Sequence, residues 1–133
     1  MAKAAMARAA VVVTDREASK PIGVRSDNGD FVTLFQFNSD PSLASVLRSL
    51  ASLDYRTQAE FTIARLQQEP EDLRIGTLGS NELSRDEIIE QVRKASPIGK
   101  QFVQIERDWV EHLKAKLSRG EYTLRVQASA SSR

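Results

Sequence analysis

The sequence holds no cysteine, a single histidine and a single tryptophan, and each scarcity closes off some chemistry. Without cysteine there is no disulfide and no thiolate metal site, a composition that suits a reducing compartment, and we expect a cytoplasmic protein. With His112 as the sole imidazole, no multi-histidine centre can form, and a Ser-His-Asp arrangement has one candidate base. No apolar run approaches ~18 residues, so nothing reads as a membrane span and no membrane partner is expected. Charge of one sign is missing too. Nineteen Lys plus Arg stand against 18 Asp plus Glu, a formal net charge of +1, so no global field draws the chain toward nucleic acid, and any basic surface must be local.

What is present fits one core. A chain of 133 residues with 41% hydrophobic composition can bury a single apolar interior but not two ordinary ones. We expect a basic flexible tail over 1–9, one α+β domain over 10–126 and a disordered tail over 127–133. The opening "MAKAAMARAA" carries Lys3 and Arg8 with no acid before Asp15, the composition of a transit peptide without its length or its serines. The closing "QASASSR" is small and polar and offers little to bury.

Three strand-like segments come first, near 10–14, 21–26 and 31–37. Asn28-Gly29 between the last two is a hairpin signal, because both central residues of a type I′ turn need positive φ. In the third segment Phe31, Thr33, Phe35 and Phe37 alternate with Val32, Leu34 and Gln36, which predicts a central strand covered on both faces. Helix signals follow. Asp40-Pro41 reads as a cap and first position, with Leu43, Val46, Leu50 and Leu53 as a buried stripe to residue 53. "TQAE" at 57–60 reads as a capping box, Pro70 ends that helix, and Leu73/Ile75 suggest a fourth short strand or an extended loop. Ser84 with Glu87, stapled by Leu83 against Ile88, is the best-specified helix start. Ser96-Pro97 then breaks the chain and caps a last helix ending before Gly120.

The last helix carries two apolar stripes. Ile98, Phe102, Ile105, Trp109 and Leu113 form one, expected to face the sheet with Trp109 in the core. Val103, Val110 and Leu117 recur every seven residues beside it and are the expected interface with a second copy, the nearly equal alternative being that the 41–53 helix covers them. On the polar side Lys100, Arg107 and Lys114 make a row that could track phosphates if 85–118 were a helix-turn-helix. Asp108 and Glu111 beside that row, and the near-neutral chain, favour a solvated, salt-bridged face instead. His112 lies one turn after Asp108, but no nucleophile signature accompanies it. "IGTLGS" lacks the Lys-Ser/Thr of a phosphate loop, no calcium-loop spacing occurs, and Ser96 after Arg93-Lys94 is explained by its capping role.

Together these features predict an α+β fold, a small N-terminal antiparallel sheet with a hairpin followed by about four helices, the last long and amphipathic. No catalytic, cofactor or metal set emerges. The expected function is a non-enzymatic protein-interaction or assembly module that self-associates through its C-terminal helix, the alternative being nucleic-acid binding by the 85–118 helices.

Overall fold

The computed structural model describes residues 9–76, 82–119 and 122–127 and has the α+β class and the long last helix that the sequence predicts, with short strands interleaved among the helices. The tail up to residue 8, Gly79, Gly120 and the tail from residue 128 lie outside the described residues. Strand β1 (Ala9–Thr14) runs into a short helix α1 (Asp15–Ala18), where Thr14 Oγ1 accepts from the Glu17 N–H. Strands β2 (Pro21–Val24) and β3 (Phe31–Thr33) form the antiparallel hairpin, with a bulge between Pro21 and Gly23. β1 does not join them. It pairs in parallel with β6 (Tyr122–Gln127), from Ala9 opposite Tyr122 to Thr14 opposite Gln127.

The hairpin turn is not type I′. Only Gly29 has positive φ, at +78°, while Asn28 uses its side chain, Oδ1 accepting from the Asp30 N–H at 2.9 Å. The third strand is also shorter than its alternation predicts. It stops at Thr33, whose Oγ1 accepts from the Gln36 N–H as Gln36 Oε1 accepts from the Thr33 N–H, a capping box that starts α2 (Leu34–Ser39). Leu34 and Phe37 are then buried on one helical side and Phe35 is exposed.

Asp40 caps as expected, but the 41–53 stretch is no α-helix. It forms 3₁₀ turns at Pro41–Val46 and Leu50–Ser52. Serines bond their own backbone, Ser45 Oγ to the Ser42 carbonyl and Ser52 Oγ to the Ser49 carbonyl. Between the turns the chain is held extended against β2, by Ser26 N–H to the Val46 carbonyl and Arg48 N–H to the Val24 carbonyl. Helix α3 (Tyr55–Leu66) starts three residues earlier than expected, because Asp54 Oδ1 accepts from the Thr57 N–H; Thr57 is the capped residue and not the cap. That bond holds the Asp54 carboxyl below the usual aspartate range. The fourth strand, β4 (Arg74–Ile75), pairs with β5 (Leu83–Ser84), which leads into α4 (Arg85–Lys94) and α5 (Pro97–Ser118).

Two apolar clusters make the interior. One gathers Ile22, Val24, Val32, Phe37, Leu50 and Phe61 around the hairpin, the other Ala59, Ile63, Ile88 and Val92 between α3 and α4. α5 crosses both, with Val110 in the first and Val103 in the second. A buried arginine joins the layers: Arg65 Nε donates to Glu106 Oε1 at 2.9 Å and Nη1 to the Pro21 carbonyl at 2.8 Å. Lys20, also buried, sits between the carboxylates of Glu17 and Glu69.

Candidate functional site

The corner between α4 and α5 fixes how the last helix is presented. Ser84 and Glu87 make the predicted capping box at the start of α4. At its end Ala95 takes the left-handed conformation, φ 56°, and Ser96 Oγ caps α5 by accepting from the Gly99 N–H at 3.0 Å. Gly99 sits on the backbone of α4, where a Cβ would meet the Gln91 carbonyl oxygen at 2.1 Å. The junction is therefore closed against the preceding helix. Tyr55 bolts α3 to the same corner, its hydroxyl donating to the Val92 carbonyl at 2.9 Å, and burial raises its phenol pKa.

From that corner Val103, Val110 and Leu117 turn inward and Ile98, Ile105 and Trp109 outward, the opposite of the expectation, while Phe102 and Leu113 of the expected core stripe still pack partly on the two clusters. Val103 and Val110 are 2% and 0% exposed and Leu117 packs on the hairpin cluster, so the residues predicted to meet a second copy are occupied within the chain. The rival expectation was nearer, since Leu50 and Leu53 share a cluster with Val110, although they belong to turns and not to a helix. Ile105 and Trp109, expected in the core, are 56% and 51% exposed, and Ile98 is exposed with them. The reason is lateral. Polar anchors on the Val103/Val110 flank tie α5 inward, Glu106 to Arg65, Arg107 Nη1 to Gln58 Oε1 and Glu111 Oε2 to the Leu50 N–H, which rolls the heavier stripe outward.

The outward stripe is ordered. Ile98, Phe102, Ile105, Trp109 and His112 are spaced four, three, four, three along the helix. That is the alternation of a helix which meets another helix along its length, here over roughly 21 Å at 1.5 Å per residue. At its N-terminal end the stripe opens into an apolar groove of about 450 Å³ lined by Ile75, Ile88, Ile98, Phe102 and Ile105 with the Gln101 amide. At its other end the Trp109 and His112 rings lie 6.2 Å apart, tilted by 34°. The residues flanking the exposed arc are Gln101 and Gln104 along its first half and the exposed Asp108, paired with Arg107, along its second.

The basic row does not survive as a row. Arg107 is turned to Asp108 and Gln58, Lys114 to Glu111 and the Arg48 carbonyl, and only the Lys100 side chain of the three has no ion pair or hydrogen bond among the described residues. His112 is exposed, and no hydrogen bond among the described residues joins it to Asp108, whose Oδ1 faces Arg107 Nε at 3.4 Å. Among the described residues no group of three or more His, Cys, Asp or Glu could hold a metal ion, and no helix is long and apolar enough to cross a membrane. The chain matches no family model, no curated protein and no solved structure.

Proposed function

We propose that this chain is an assembly module that self-associates through the outward stripe of α5, the partner being a second copy of the same helix. The observation that carries the reading is the exposure of Ile98, Ile105 and Trp109 on the longest helix, at heptad-like spacing and continuous with an apolar groove. Scattered exposed apolar side chains need no partner, but a contiguous patch of this kind marks an interaction surface. Two copies crossing with these faces together would bury the Trp109 rings, with Gln101 and Gln104 along one half of the seam and Asp108, already paired with Arg107, along the other. The reading assigns no reaction to the chain: His112 serves as the polar end of the stripe, its ring beside that of Trp109.

Trp109 is the only tryptophan, so its emission reports this face directly. Light scattering at tens of micromolar should give a mass above the 14.8 kDa of one chain, and dilution should shift the emission to the red as the indole meets water. Ile105→Glu should give a folded monomer at every concentration. A wild type that stays at 14.8 kDa with concentration-independent emission overturns the proposal.

A further inference from the structure

On the side of α5 roughly opposite the apolar stripe, a cleft of about 310 Å³ opens between the 44–49 segment and the C-terminal half of the helix. Its apolar wall is made by Phe37, Ala44, Leu47 and Ala115. The polar wall contains one settled pair. Glu111 Oε2 accepts from the Leu50 N–H at 2.7 Å and lies 3.2 Å from Lys114 Nζ, which also donates to the Arg48 carbonyl at 3.4 Å. Glu111 and Lys114 therefore balance each other and are held in place.

The other three polar groups on this wall are uncommitted. Among the described residues the Arg48 guanidinium and the hydroxyls of Ser49 and Ser118 make no side-chain hydrogen bond. Ser49 precedes the Leu50–Ser52 turn, yet its hydroxyl makes no capping bond there. The acid outside the cleft that feels Arg48 is Asp54, and its carboxylate is committed to the Thr57 N–H. Arg48 and Lys114 against Glu111 leave the lining one positive charge, 2 − 1 = +1.

We propose that this cleft binds a small monocarboxylate carrying a short apolar or aromatic body. The planar guanidinium fork of Arg48 matches a carboxylate in two parallel hydrogen bonds, and the hydroxyls of Ser49 and Ser118 donate to its oxygens. The body of the acid rests on Phe37 and Leu47. A single negative charge neutralises the lining, whereas a phosphate dianion would bring a second charge up against Glu111. The volume lies at the small end of ligand sites, which limits the occupant to a compact acid. The site is independent of the self-association face.

Amide NMR of the full-length labelled protein, titrated with benzoate, tests it. Saturable shifts at Ser49, Leu50 and Ser118 are expected. They should weaken about tenfold in Arg48→Gln, whose exposed position keeps the fold intact as judged by the rest of the spectrum. Benzyl alcohol, with the same ring and no charge, should give no saturable shift. The assignment fails if benzoate shifts are linear or fall elsewhere, if Arg48→Gln binds as tightly as wild type, or if benzyl alcohol binds equally well. Phenyl phosphate binding more tightly than benzoate would overturn the monoanion argument.

Discussion

Replacing Val110 with Ala tests the rotational setting of α5, on which both the core and the outward stripe depend. Val110 is fully buried in the hairpin cluster. The substitution removes the equivalent of two CH₂ groups, about 1.6 kcal/mol of transfer free energy at ~0.8 each. If the cluster does not collapse, roughly 50 Å³ of void at ~24 cal/mol per Å³ adds about 1 kcal/mol. The expected cost is therefore about 2–3 kcal/mol. In a chain of this length that lowers the melting temperature by ~10 °C. Ile105→Gln, on the exposed stripe, should change stability by less than ~1 kcal/mol. Urea denaturation followed by circular dichroism, run at low micromolar concentration so that association does not add to stability, measures both. A larger loss for Ile105→Gln than for Val110→Ala would show that α5 is rolled the other way, with the Ile98/Ile105/Trp109 stripe inside.

Gly29→Val should destabilise by ~1–3 kcal/mol, since φ at +78° is strained for a β-branched residue even though nothing crowds the site, and a thermal melt checks it. Ser84→Ala should cost ~1 kcal/mol by removing one half of the capping box of α4, read as a shifted denaturation midpoint with unchanged slope. Asp54 has a folded pKa depressed first by the Thr57 N–H. Its contribution is therefore complete above the unfolded value of ~3.9 and is lost as the pH falls below that value through the folded one. Asp54→Asn, which keeps the cap without the charge, should flatten that acid limb of the stability curve, and equal slopes in wild type and variant would refute the assignment.

Local chemistry is what the sequence determined by itself. The box at Ser84/Glu87, the break and cap at Ser96-Pro97, the hairpin position of Gly29 and the extent of the last helix each rest on hydrogen bonds between near neighbours, so the residues that make them are adjacent on the page. The Thr33/Gln36 and Asp54/Thr57 caps were equally local, but stronger patterns hid them: a run of alternating aromatics and a neighbouring Thr-x-x-Glu that fits the same template. Tertiary structure alone decided the rest. β1 found its parallel partner at the far end of the chain, and no local periodicity announces such a pairing. The serine-rich 41–53 stretch gave up helix for turns because the extended Leu47 segment bonds to the hairpin. Which stripe of α5 is core followed from contacts with Arg65, Gln58 and the Leu50 N–H, none of them near α5 in sequence. Hydrophobicity ranks the two stripes by their own side chains, whereas burial depends on where the rest of the chain places its polar partners, so the heavier stripe was left facing out.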